Sequence, residues 1–266
     1  MKICLYIALV CPMIVSIPMI ACSVEIVGHR GAAHDAPENT LVSVITAWNQ
    51  GADAAEVDIY LTKDERIVVI HDETTKRTAG VDLKVSETTA DVLRRLDVGS
   101  FKDKRFAGEK IPFLEEVLET IPPGRKLFIE IKCGSEVLPF LQKTLSASGK
   151  MSQIVIIGFG LETVAESKKL MPEIPTFWLK GADKDKETKE YIPHSKDLIR
   201  IVKEKNLDGL DVSYQGVDKR FVDAVKASGL ELHIYTVDDL DEAKRLKRLG
   251  VDGITTDRPG WLLEHL

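Results

Sequence analysis

From residue 24 to the C-terminus, short runs rich in Val and Ile alternate with longer stretches in which apolar side chains recur every third or fourth position. A period of two marks strands and a period near 3.6 marks helices with one buried face, so the alternation predicts parallel strands joined by covering helices. Strands are predicted at 24–29, 54–60, 127–132, 153–158, 174–179, 208–213, 230–236 and 251–255. The clearest helix follows the first of them. Its residues Leu41, Val44, Ile45 and Trp48 share a face, with Asn39 placed to cap its start and Gly51 to close its end. Further helices are predicted at 113–121, 136–148, 160–171, 195–205, 218–228 and 238–249.

Three segments echo one another: "QGADAAEVD" (50–58), "NLDGLDVS" (206–213) and "LGVDGITTD" (249–257) each place a helix-ending Gly or Asn, an apolar–Asp pair and then a strand. Repeated β–α units closing into a ring explain the echo, and the strand number fits a TIM barrel; an open doubly wound sheet is the alternative. No linker rich in Pro, Gly or Ser divides residues 23–266, which predicts one domain. One run breaks the alternation. "RIVVIHD" (66–72) follows "VDIYLT" (57–62) after only Lys63-Asp64-Glu65, too short a link for the crossover that parallel strands require. The two runs are therefore predicted to form an antiparallel hairpin, and a turn centred between Asp64 and Glu65 sets Asp58 opposite His71. Residues 73–112 then form an insertion at the barrel rim, where such folds build their sites.

Alternation inside the strands points to chemistry. In "AEVDIY", Glu56, Asp58 and Tyr60 share one face while Val57 and Ile59 take the other. The apolar set belongs against the helices, so two carboxylates point into the barrel mouth. "LFIEIK" repeats the arrangement with Phe128, Glu130 and Lys132. Three inward carboxylates on neighbouring strands repel one another without a cation, and an all-oxygen donor set implies a hard one, Mg²⁺ or Ca²⁺. The alternative is a structural ion-pair layer among Glu130, Lys132 and Arg30. His29, at the end of the first strand, and His71, brought by the hairpin, flank the group, and imidazole is suited to proton transfer near neutral pH. Arg30 and Lys132 add fixed positive charge that suits a phosphate. Of the other histidines, His34 is expected in a loop, His194 on the surface, His233 on a strand and His265 at the terminus.

Composition narrows the partners. With 44% hydrophobic residues the chain can bury a substantial core, and a formal net charge of -6 with dispersed Lys and Arg argues against nucleic acid. A small-molecule substrate fits better. The first 22 residues carry one charge, Lys2, and a continuous apolar run interrupted by Pro12 and Pro18. This predicts a secretory signal peptide and an exported protein. Met19-Ile20-Ala21-Cys22 is similar to a lipoprotein cleavage box, which would make Cys22 a lipidated membrane tether. Cys4, Cys11 and Cys22 lie in that segment, so Cys133 alone remains in the body and no internal disulfide framework is expected.

Taken together and in this order, "HRG" with "PENT", "GADAAEVDIYLTKDERIVVIHD", "RTAG", "IPFLEEVL", "FIEIK", "YTVDD" and "GVDGITTDRPG" resemble the glycerophosphodiester phosphodiesterase family over residues 26 to 261. The resemblance implies a TIM barrel, a divalent metal held by Glu56, Asp58 and Glu130, and His29 and His71 as an acid–base pair. It also places Arg30 and Lys132 at phosphate-contacting positions. Two positions depart from the family's usual pattern: Gly158-Phe159 stands where Ser-Phe is frequent, and Tyr235, expected beside the substrate, replaces a Trp. The implied reaction is hydrolysis of a glycerophosphodiester to glycerol 3-phosphate and an alcohol. A lysophospholipase D activity and a catalytically silent barrel that binds phosphoglycerol are the alternatives.

Overall fold

Strand pairing closes a ring. In the computed structural model, which describes residues 24–266, the strands are β1 (Glu25–Gly28), β2 (Ala54–Leu61), β3 (Ile67–Val69), β4 (Lys126–Ile131), β5 (Ile154–Gly158), β6 (Thr176–Lys180), β7 (Gly209–Ser213), β8 (Glu231–Tyr235) and β9 (Gly253–Thr256). All but β3 are parallel, in the order β1-β9-β8-β7-β6-β5-β4-β2, and β2 returns to β1 through Val27 opposite Ala54 and Gly28 opposite Ala55. This is the eight-stranded TIM barrel expected from the alternation. The covering helices are α1 (Leu41–Asn49), then α2 (Lys76–Ala79) and α3 (Ala90–Leu93) within the insertion, and α4 (Leu114–Thr120), α5 (Leu138–Ser148) and α6 (Leu161–Leu170). They continue with α7 (Asp197–Glu204), α8 (Lys219–Ala227), α9 (Leu240–Leu249) and α10 (Pro259–His265). Among the described residues no helix is long and apolar enough to cross a membrane. The proposed leader and Cys22 lie outside the described residues.

The period of two separates two apolar shells. Outward-facing residues such as Val57, Ile59, Leu210 and Val212 pack under the helices. Their alternates Val27, Ala54, Phe128, Val155, Ile157, Phe177 and Leu179 fill the barrel interior. Above that plug the inward positions turn polar, which is where the site begins.

Local chemistry sets the ends of the elements, and it corrects one expectation about them. Thr40, not Asn39, caps α1: its hydroxyl accepts from the Ser43 N–H, while Asn39 adopts a φ of 57° and turns its side chain to β2. The final helix, α10, was not foreseen; its signal is Pro259 in the first turn, a position that needs no N–H donor.

The hairpin exists, but its register is one residue from the expected one. Tyr60 stands opposite Val68, and Asp58 accepts a hydrogen bond from Ile70, not from His71. "KDE" contains no Gly to make a two-residue turn. The chain instead uses a three-residue loop, with the Thr62 N–H donating to Arg66 and Glu65 at a φ of 61°. Asp64 holds the loop, accepting from the Thr62 hydroxyl and the Ala90 N–H. Ile70 accordingly packs beneath the insertion with Val68, Val85, Leu93, Val98 and Ile111. His71 reaches the barrel mouth because pairing ends just before it. Arg94 ties the insertion to α4 through a bidentate pair with Glu116 and a bond to the Ile111 carbonyl.

Candidate active site

The end of β1 is a sharp corner. Arg30 has a φ of 51° and Gly31 one of 85°, and a Cβ on Gly31 would stand 2.5 Å from the Ser43 backbone, so α1 can close on the corner only where no side chain intervenes. The corner is tied on both sides: the Arg30 N–H donates to Glu56 Oε2 at 2.8 Å, and the Arg30 carbonyl accepts from Ser43 Oγ at 2.8 Å. His29 and Arg30 are thereby aimed across the barrel mouth.

Glu56, Asp58 and Glu130 converge as the strand pattern predicts. All three are buried, and one oxygen from each lies within 4.8 Å of the others. Register places Asp58 directly beside Glu130 on β2 and β4. Burial, then Asp58 and Glu130, push the Glu56 carboxyl well above the usual carboxylate range, and burial with Asp58 raises Glu130 against the pull of Lys132. Two cations offset part of this. Lys132 Nζ bonds Glu130 at 2.8 Å and stands 3.6 Å from Asp58, and Arg30 Nε stands 3.4 Å from Asp58. Of the ion-pair layer considered from the sequence, the Lys132–Glu130 contact is present, while Arg30 pairs with Asp58 and Glu38 instead of Glu130. These pairs do not satisfy the cluster: Glu56 Oε1 and Asp58 Oδ1 are buried with no hydrogen-bond partner among the described residues. Buried carboxylate oxygens that accept no hydrogen bond, in a tight all-oxygen group, fit a hard divalent cation.

Each flanking histidine is braced by an aspartate. His29 Nδ1 lies 2.6 Å from Asp257 Oδ1, and His71 Nδ1 lies 2.6 Å from Asp72 Oδ1. An Nδ1–H given to a carboxylate leaves Nε2 as the acceptor and fixes the ring plane. Burial lowers the His71 pKa, against Asp58 and Asp72, so His71 is held neutral more readily than a free imidazole.

The brace of His71 continues into a chain of charges. Asp72 Oδ2 takes Arg77 Nε at 2.7 Å, and Arg77 grips Glu38 with both terminal nitrogens at 2.7 and 2.9 Å. Glu38 Oε1 also takes Arg30 Nη1 at 2.7 Å. The Glu38 carboxyl drops to about 2: burial opposes this most strongly, but Arg77 and Arg30 together outweigh it. Arg77, the Arg of "RTAG", thus links the supports of His71 and Arg30. Replacing it with Ala is expected to lower kcat about tenfold with little change in melting temperature, since the side chain is half-exposed. Arg77→Lys should recover little, because an ammonium cannot span two carboxylates. Steady-state kinetics with melting curves check this; a variant as active as the parent would remove Arg77 from the support.

Asn39 has a comparable part. Its amide donates to Asp58 Oδ2 at 2.7 Å and its carbonyl accepts from the Asp58 N–H at 3.1 Å, which fixes that carboxylate.

His29, Arg30, Glu56, His71, Glu130 and Lys132 line one cavity of about 160 Å³ together with Ile157, Phe159, Leu179, Asp211, Tyr235 and Thr255. Seven of the eight sequence-derived site positions line it; the eighth, Asp58, is buried beside Glu130. Tyr235 meets Phe159 edge-on, ring centres 6.0 Å apart, as an aromatic wall at the mouth. A larger groove of about 680 Å³ runs outside the barrel between α4, α5 and the hairpin tip, but its Glu115, Glu119, Lys143 and Lys150 are surface groups with no convergent geometry. Size does not mark the site here; chemistry does. His194, expected on the surface, is 9% exposed, because Nε2 bonds the Ser213 carbonyl and the ring packs on Phe221.

Residues 29–261 match the glycerophosphoryl diester phosphodiesterase family. This chain belongs to that family. It is an enzyme of the phosphoric diester hydrolase class, and a glycerophosphodiester phosphodiesterase by membership. A glycerophosphodiester phosphodiesterase of Caldanaerobacter subterraneus subsp. tengcongensis is 32% identical over 245 residues, covering 90% of this chain and 96% of the relative. One from Bacillus subtilis is 31% identical over 252 residues, covering 88% and 83%. Among solved structures, an Oleispira antarctica phosphodiesterase in complex with the product sn-glycerol-3-phosphate superposes with a TM-score of 0.83 at 26% identity, covering 91% of this chain and 96% of that one.

Proposed function

We propose that this family member is a divalent-cation-dependent phosphodiesterase that converts a glycerophosphodiester and water to sn-glycerol 3-phosphate and an alcohol. The observation that carries the reading is the convergence of Glu56, Asp58 and Glu130 between two histidines that are each braced by an aspartate. The cation, Mg²⁺ or Ca²⁺, supplies Lewis-acid polarisation of a phosphoryl oxygen when bound by these carboxylates. Arg30 and Lys132 hold the negative charge of the diester. One of His29 and His71 takes a proton from the attacking hydroxyl, and the other gives a proton to the leaving alkoxide. The product named in the Oleispira antarctica complex supports glycerol 3-phosphate as the phosphate-bearing product. Glycerophosphocholine hydrolysis is the test. Activity is expected to vanish on chelation and return with Mg²⁺ or Ca²⁺; full activity after exhaustive metal removal would sink the cation dependence, and no turnover with any divalent ion would favour a silent binding barrel.

We also propose that the protein is exported, on the apolar run ending at Ala21-Cys22 two residues before Val24. Mass spectrometry of the native protein is expected to find a terminus near residue 22, with a diacylglyceryl adduct on Cys22 in the lipoprotein case. An intact Met1 terminus in the cytosolic fraction would refute export.

A further inference from the structure

β7 stands diametrically opposite β2 in the barrel ring, and its Asp211 faces the interior between Leu179 on β6 and His233 on β8. Asp211 is 1% exposed and lines the cavity, yet its Oδ1 is fully buried with no hydrogen-bond partner among the described residues. No histidine nitrogen or other cation among those residues lies within ion-pair distance of it, although His233 is its register neighbour. His233 is held elsewhere. Its ring packs against Phe128 and Phe177 with centres 5.2 and 5.1 Å away, over Gly253, where any Cβ would overlap it. Burial raises the Asp211 carboxyl to about 6, and His233 and His29 relieve this only in part.

A buried carboxylate without a donor is costly, and proteins keep such groups where a ligand completes them. The charge layout of the cavity says which part of a ligand reaches this one. Arg30 and Lys132 sit on the side of β1 and β4 and would draw a phosphate there, while Asp211 repels it. What meets Asp211 must donate a hydrogen bond and be small enough for a 160 Å³ cavity. A quaternary ammonium has no proton to give. We infer that Asp211 is a substrate-binding residue that accepts a hydrogen bond from a hydroxyl of the glycerol moiety, making the site selective for polyol phosphates over alkyl phosphates. This rests on the glycerophosphodiester reading above and adds a recognition element to it.

Calorimetric binding of glycerol 3-phosphate and of propyl phosphate to the purified, cation-loaded protein tests the inference, with hydrolysis of glycerophosphoethanolamine measured in parallel. The parent protein is expected to prefer glycerol 3-phosphate about 10- to 100-fold, the loss typical of one hydrogen bond to a charged acceptor. Asp211→Ala should remove most of that preference by weakening glycerol 3-phosphate alone. Asp211→Asn keeps a carbonyl acceptor at the same size and should retain an intermediate preference, which serves where the Ala variant does not fold. Undiminished preference in both variants, or equal weakening of both ligands, would overturn the role of Asp211. Failure of the parent to hydrolyse the diester would instead overturn the underlying activity.

Discussion

His29→Ala and His71→Ala are each expected to cut kcat on glycerophosphocholine by roughly 10²–10⁴-fold, the range lost when a positioned acid or base is removed. Both rings line the cavity, and both are held by an aspartate at 2.6 Å, so neither substitution removes a core contact. Cation affinity should be nearly unchanged in each variant, because the proposed ligands are carboxylates. A leaving-group series separates the two roles. A glycerol phosphodiester that releases p-nitrophenol needs no protonation as the bond breaks, so the variant lacking the acid should recover most of its rate on it. The variant lacking the base should not. Equal defects on both substrates in both variants would refute a division into acid and base, and loss of the cation from His71→Ala would move His71 among the ligands.

The barrel was legible because each strand repeats one signal, an apolar set with a period of two facing the helices, and each helix supplies the complementary stripe. The cluster was legible for the same reason: "AEVDIY" and "LFIEIK" put carboxylates where apolar alternation leaves an inward face, and the register of β2 on β4 brings them together. The hairpin register was not, because it depends on whether Lys63-Asp64-Glu65 closes as a two- or three-residue loop, and a slip of one residue exchanges the faces. The braces were hidden by distance along the chain. Asp257 lies 228 positions from His29, and only closure of β9 against β1 brings them together. Glu38 and Asn39 stood in the motif "PENT", where a helix start accounted for them; their second use, holding Arg30 and Asp58, appears only once α1 folds over β2. Asp211 carried the alternation of Glu56 and Asp58, but a lone inward carboxylate on its strand gives no pairing signal.

Asp58→Asn should divide cation binding from folding. Three carboxylates crowd together beside Arg30 and Lys132, and burial with their mutual repulsion already pushes Glu56 and Glu130 toward the protonated form, so removing the Asp58 charge relieves repulsion that burial intensifies. Without added metal, the variant is therefore expected to melt no lower than the parent. With metal the order reverses. Asn39 Nδ2 donates to Asp58 Oδ2 and Asn39 Oδ1 accepts from the Asp58 N–H, a pair that persists only if the new amide turns its oxygen toward Asn39. Its NH₂ group then faces the position of Oδ1, which accepts no hydrogen bond, presenting donors where a cation requires an acceptor. Losing one buried charge from the ligand set should weaken cation affinity roughly 10²–10³-fold, and excess Mg²⁺ or Ca²⁺ should restore part of the rate. Calorimetric titration with metal, and the metal-induced rise in melting temperature, read this directly. A variant that binds the cation as tightly as the parent, yet loses kcat, would place Asp58 outside the cation site and leave it only the task of holding Arg30 and Lys132.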